Sequence, residues 1–151
     1  MRKVFLIHHI PGCKSWETCF RFLMEKSDTF RIIFQVESNA YDAEGLNAGK
    51  QEFLNLPSIT ISPYSGMKNS IEATGALDTA ARELFLSFMK PAFEGHTPDL
   101  WSFQLLERND VLLRVEDFTV ALLFLGESDI AGLLAQGVDK TDLEEIDNFP
   151  V

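Results

Sequence analysis

The chain has 151 residues, 46% hydrophobic and 24% charged, with 23 acidic against 13 basic side chains and a net charge of −10. That apolar content suits one domain with its own core and excludes disordered and fibrous classes. The pI near 4.6 excludes a surface built to grip a nucleic-acid backbone, which needs a basic face.

Lys3 to Ile10 combines β-branched and aromatic residues and stops at Pro11-Gly12, predicting a buried strand. Trp16, Cys19, Phe20, Leu23 and Met24 then fall on one helical stripe, with Glu17, Arg21 and Glu25 opposite. Arg31 to Glu37 returns to strand composition, so a strand-helix-strand crossover with its two strands parallel is predicted. Asn39, Asp42, Gly45, Asn47 and Gly49 mark Ser38 to Gln51 as a loop. Ile59 and Ile61 alternate with polar neighbours, predicting a half-buried strand over Ser58 to Ser62. A turn at Pro63 to Gly66 and a short strand over Ile71 to Thr74 follow.

Leu77, Ala80, Ala81, Leu84, Phe85, Phe88 and Met89 repeat the helical stripe, with Asp78 or Thr79 as the cap and Pro91 as the stop. Phe93 to Asp99 reads as a loop. Three closely spaced runs, Trp101–Glu107, Val111–Glu116 and Thr119–Leu125, predict an antiparallel meander. Ser128 is placed to cap a short helix ending before Gly137, and Thr141 to Glu144 has the capping-box spacing of one last helical turn. No repeat or linker divides the chain. The prediction is a single globular α+β domain over residues 1–151. It has a mixed sheet of about five to seven strands, an N-terminal strand-helix-strand unit, a central amphipathic helix and the C-terminal meander.

Two positive charges precede an apolar run at the start, but Val4 to Ile7 is only four residues long, too short for a secretory signal. The longest apolar run, Val120 to Leu125, is six residues and too short to span a membrane. Two cysteines, Cys13 and Cys19, do not make a disulfide framework. A cytoplasmic location is the expectation.

Charge is divided unevenly along the chain. Residues 1–75 carry eight acids and eight bases, whereas residues 76–151 carry fifteen acids and five bases. One end of the molecule is therefore expected to be strongly negative. Such a region serves either as a solvated face or as a docking surface for a basic protein. The candidate docking residues are Asp110, Glu116, Asp117, Glu127, Asp129, Asp139, Asp142, Glu144, Glu145 and Asp147.

The remaining chemistry is sparse. His8-Ile10-Pro11-Gly12 followed by Ser15-Trp16-Glu17 resembles the opening loop of α/β-hydrolases, but no Gly-x-Ser-x-Gly elbow follows. His8 and His9 are adjacent on a strand and point to opposite faces, predicting one buried and one exposed histidine rather than a shared metal. Cys13 and Cys19 are too widely spaced for a structural zinc site, and the glycines match no phosphate loop. No metal, cofactor or catalytic set is assigned. Cys13 with a histidine remains the alternative, as the nucleophile of a small cytoplasmic hydrolase, and a regulatory binding subunit is another. Tyr64 and Trp101 are candidate interface anchors.

In size, acidity and the stretch from Val111 to Leu125 running into Ser128-Asp129 and a short helix, the last third of the chain resembles bacterial immunity proteins. That resemblance implies a non-enzymatic inhibitor whose partner is the basic C-terminal domain of a toxin, with a nuclease as the expected activity. It implies neither direct nucleic-acid binding nor membrane binding. The mechanism it implies is occlusion of a cationic active site by carboxylates standing in for phosphates.

Overall fold

Alternating burial orients the sheet. Along β2 (Thr29–Gln35), Phe30, Ile32 and Phe34 are buried while the residues between them are half-buried. The same period of two recurs in β5 (Phe103–Glu107), β6 (Asp110–Glu116) and β1 (Lys3–Ile7), broken by an irregularity in register between Leu105 and Leu106. With β3 (Thr60–Pro63), β4 (Ser70–Ala76), β7 (Val120–Leu125) and β8 (Glu144–Ile146), these strands form one open sheet in the order β3-β4-β2-β5-β6-β7-β1-β8. The structure, a computed structural model, describes residues 1–36 and 47–147. Glu37 and most of the predicted loop, including Asn39, Asp42 and Gly45, lie outside the described residues.

Every neighbouring pair of strands is antiparallel. The predicted crossover is therefore half right. β1 and β2 run in the same direction, but β7, β6 and β5 lie between them, and the sheet is antiparallel rather than mixed. The composition of β7 explains the insertion. Its run Val-Ala-Leu-Leu-Phe-Leu has no polar residue and gains most by being covered on both flanks, as a strand inside the sheet is. Among the described residues eight strands replace the five to seven expected, because the short β8 adds an edge beside β1.

Among the described residues four helices pack on one face: α1 (Trp16–Lys26), α2 (Lys50–Leu54), α3 (Thr79–Phe93) and α4 (Glu127–Ala135). The α1 stripe is buried as predicted, at Trp16, Cys19, Phe20, Leu23 and Met24. Rings join helices to sheet: Phe20 meets Phe103 edge-on at 6.2 Å, and Phe85 lies 5.3 Å from Phe30 and 5.1 Å from Phe103. Phe53, on a helix that the sequence did not announce, completes the cluster 4.9 Å from Phe85. Each fully buried side chain of this kind contributes about 1.5–3 kcal/mol. α4 lies beside α1, and Gly132 makes that approach possible, since a Cβ there would stand 3.2 Å from the Phe22 ring.

Several element ends differ from the prediction. Asp78 caps α3 by accepting the Ala81 N–H at 2.9 Å, but the helix continues through Pro91 to Phe93. Pro91 lies two residues before the helix end, and its carbonyl accepts from the His96 N–H at 2.8 Å. α4 starts earlier than Ser128, with Asp129 accepting the N–H of its cap residue Gly126 at 2.9 Å. The predicted final helical turn is a single 3-10 turn, Lys140–Asp142, capped by Asp139, after which the chain becomes β8. β8 satisfies the backbone edge of β1 that β7 leaves open. Ile61 is not half-buried but 51% exposed on the β3 edge. Both His8 and His9 are exposed.

The other face of the sheet carries no helix among the described residues. On it stand Arg31 and Ile33 of β2, Gln104 of β5, and Arg114 and Glu116 of β6, alternating with the buried positions.

Candidate functional site

The ten predicted docking carboxylates do not form one surface. Strand direction sends them to two ends of the sheet. Glu116 ends β6 and Glu144 begins β8 at the end where β1 finishes, with Asp117, Asp139 and Asp142 in the adjoining turns. Asp110, Glu127, Asp129 and Asp147 belong to the opposite end, and Glu145 sits on the β8 edge between them.

Half of the ten are held by basic side chains. Arg2 reaches Asp110 at 3.5 Å and also Glu107 at 3.4 Å. Lys3 pairs with Glu145 at 3.6 Å, and Arg114 with Glu116 at 3.7 Å. His8 pairs with Glu144, and Lys26 with Asp129. β1 is threaded between β7 and β8, so the bases of the N-terminus lie against the acidic tail.

Asp129 is the most committed of these. Its side chain is 7% exposed. Burial alone would push its carboxyl up, but hydrogen bonds from Lys26 and the Gly126 N–H outweigh burial and hold it below the ordinary range. Asp139 is held low by the hydroxyl and N–H of Thr141, and Asp142 accepts the Ser15 hydroxyl at 2.6 Å. The side chains of Asp117, Glu127 and Asp147 have no partner among the described residues.

The open face contains a concavity. Antiparallel register aligns Arg31 with Gln104 and Gln104 with Arg114 across β2, β5 and β6. Ile33 faces Glu72 of β4 in the next row. These side chains, with Ser102 and Tyr64, line a hollow of about 380 Å³. It opens into a second hollow of about 220 Å³, where Tyr64, Met67 and Trp101 stand beside Glu116 and Asp117 and no Lys or Arg lines the wall. Tyr64 leans over Gly66 so closely that a Cβ there would lie 2.5 Å from its hydroxyl oxygen. Tyr64 and Trp101, the two predicted anchors, are both half-buried here.

The turn carrying Asp117 is strained. Asp117 and Phe118 both adopt left-handed backbone, at φ of 50° and 67°, a region costly for residues other than glycine. Three backbone bonds hold it: Thr119 N–H to Asp117 O, Phe118 N–H to Trp101 O, and Ile10 N–H to Thr119 O, at 2.8 to 3.0 Å. The turn is thereby tied both to the entrance of β5 and to the segment after β1.

The alternative chemistry finds little support in its surroundings. Burial pushes the Cys13 thiol up, with Asp142 adding to it against opposing backbone hydrogen bonds, whereas a nucleophilic cysteine needs its thiolate favoured. Cys19 is pushed up to about 12, chiefly by burial. His8 turns to Glu144, and His9 Nδ1 lies 3.0 Å from the Pro11 carbonyl. Both cysteines are free. Among the described residues no group of three His, Cys, Asp or Glu side chains is placed to hold a metal ion, and no helix is long and apolar enough to cross a membrane.

Comparison with protein-family models, curated proteins and solved structures finds no match to this chain.

Proposed function

We propose that the protein is a stoichiometric inhibitor of the bacterial immunity type, acting in the cytoplasm on a basic toxin domain, with a nuclease as the expected target. The observation that carries this reading is the base-free hollow on the open face. There the unpaired Asp117 stands beside Trp101, Tyr64 and Met67, with Glu116, held loosely by Arg114 at 3.7 Å, on the same wall. A partner's Arg or Lys entering it meets carboxylates for its charge and aromatic faces for its stem and cationic head. Glu127 and Asp147 lie at the far end of the sheet and steer approach rather than make this contact. Asp110, Asp129, Glu144 and Glu145, already occupied by Arg2, Lys26, His8 and Lys3, serve the fold. Two free thiols suit a reducing compartment.

The test is affinity capture from native lysate with the wild-type chain and two variants. Wild type is expected to retain a basic protein in equal stoichiometry, released by salt. Asp117→Lys with Glu116→Lys is expected to lose it, and Glu127→Lys to keep it. Absence of a basic partner, or capture indifferent to the Asp117 and Glu116 reversals, refutes the reading.

A further inference from the structure

The larger hollow has a chemistry that the acidic-inhibitor reading does not use. Two arginines, Arg31 and Arg114, and the Gln104 amide share its lining with two carboxylates, Glu72 and Glu116. Arg114 Nε is buried and finds no hydrogen-bond partner; the nearest carboxylate oxygen, Glu116 Oε1, is 3.7 Å away, outside hydrogen-bond reach. Arg31 is held as loosely, with its Nε 4.0 Å from Glu72 Oε1 and its Nη1 3.4 Å from Gln104 Oε1. That contact occupies the Gln104 oxygen and leaves its NH₂ without a partner among the described residues. Buried donors on charged groups are ordinarily matched by acceptors, so the orphaned Arg114 Nε leaves a place in this wall for a ligand that supplies an oxygen.

We infer that this hollow binds a small oxyanion, a carboxylate or a phosphate, between Arg31 and Arg114 with Gln104 beneath it. Register supports the span. Arg31, Gln104 and Arg114 occupy adjacent positions on three neighbouring strands, which puts the two arginine Cα atoms roughly 10 Å apart at the usual strand spacing. From that separation two long side chains converge on a single anion, and the planar guanidinium suits bidentate contact with carboxylate or phosphate oxygens. The Ser102 hydroxyl lines the same wall. Glu72 and Glu116 line the same hollow and pair loosely with the arginines, at 4.0 and 3.7 Å. They also set its selectivity. With them and the net charge of −10, an extended polyanion such as nucleic acid is repelled, whereas a small anion that fits between the arginines is admitted.

This site shares the wall of Tyr64, Ser102 and Glu116 with the hollow of the toxin-binding reading but uses different groups, because its donors are Arg31, Arg114 and Gln104 and not Asp117. The test is titration of the full chain, followed by amide resonances, with inorganic phosphate and separately with citrate at constant ionic strength in chloride. Saturable shifts centred on Ser102, Gln104 and Arg114 are expected with at least one of the two. Phosphate alone identifies a phosphate site, citrate alone a carboxylate site, and both a general oxyanion site. Arg114→Gln is expected to weaken binding roughly tenfold or more, and Arg31→Gln provides the same test should the first variant fail to fold. Lys140→Gln, remote from the hollow, is expected to leave affinity unchanged. Shifts that never saturate, that centre elsewhere, or that persist with equal affinity in both arginine variants overturn the assignment.

Discussion

Replacing Lys26 by Met tests whether the acidic tail is built into the fold or displayed from it. The methionine keeps the length and apolar stem of the lysine but removes the ammonium that pairs with Asp129. Asp129 is then left with one donor, the Gly126 N–H at 2.9 Å. Loss of a hydrogen bond to a charged group costs about 1.5–3 kcal/mol, and breaking a fully buried ion pair about 3–5 kcal/mol. Asp129 is 7% exposed but Lys26 is 33% exposed, so water partly replaces the lost partner and the lower range applies, about 2–3 kcal/mol. Urea unfolding at neutral pH is expected to show that fall in midpoint with an unchanged slope. The pH dependence gives the sign. A carboxyl held below its unfolded value of about 3.9 contributes stability above that value and loses it as pH falls through the lower folded value. The gap between wild type and Lys26→Met is therefore expected to close in acid. Adding Asp129→Asn to the variant is expected to recover part of the loss, since Asn still accepts from Gly126 without a charge to strand. Equal midpoints at neutral pH, or a gap undiminished in acid, refute the reasoning.

Phe85→Ala removes the ring at the centre of the aromatic cluster, fully buried and within 5.3 Å of Phe30, Phe53 and Phe103; a loss of about 3–5 kcal/mol in urea unfolding is expected, and a loss below about 1 kcal/mol would show that α3 does not anchor the sheet. Gly66→Ala places a Cβ 2.5 Å from the Tyr64 hydroxyl oxygen and is expected to swing that ring off the groove wall while changing stability by less than about 1 kcal/mol. Unaltered Tyr64 ring resonances would contradict the geometry.

What was legible in the sequence was what repeats locally. The α1 stripe from Trp16 to Met24 is buried where the helical period put it, and of the α3 stripe Ala81, Phe85 and Met89 are buried, Leu84 and Phe88 half-buried and Ala80 exposed, because amphipathic spacing is a property of adjacent turns. The meander was legible too, since the Arg108-Asn109 turn with two left-handed residues makes a tight hairpin. β8 was not. Glu144-Glu145-Ile146 has little strand propensity and extends because the β1 edge needs a partner, a tertiary demand that no local window contains. The groove was hidden for a related reason. Arg31, Gln104 and Arg114 are ordinary outward strand residues in isolation, and only register lines them up. The charge arithmetic failed through distance along the chain: Arg2, Lys26 and His8 meet acids 108, 103 and 136 residues away.

That last failure changes what the negative charge implies. A net charge of −10 concentrated in one half of the sequence suggested an acidic face, but the threading of β1 through the acidic half converts much of it into internal pairing. Recognition by charge then depends on the carboxylates left over rather than on the total. Among these, Asp117 differs from Glu127 and Asp147 in its backbone. Glycine would meet φ of 50° without steric penalty, so a side chain at this position is retained against the local conformational preference. The turn's three backbone bonds compensate for that penalty without using the carboxylate, whose hydrogen-bonding capacity stays free beside Trp101 and Tyr64. A charged group fixed in place by its main chain and unclaimed by its own fold loses little entropy on meeting a cation. That is the physical reason why the proposed inhibitor contact is placed at this turn, and not at the longer acidic stretch near the C-terminus.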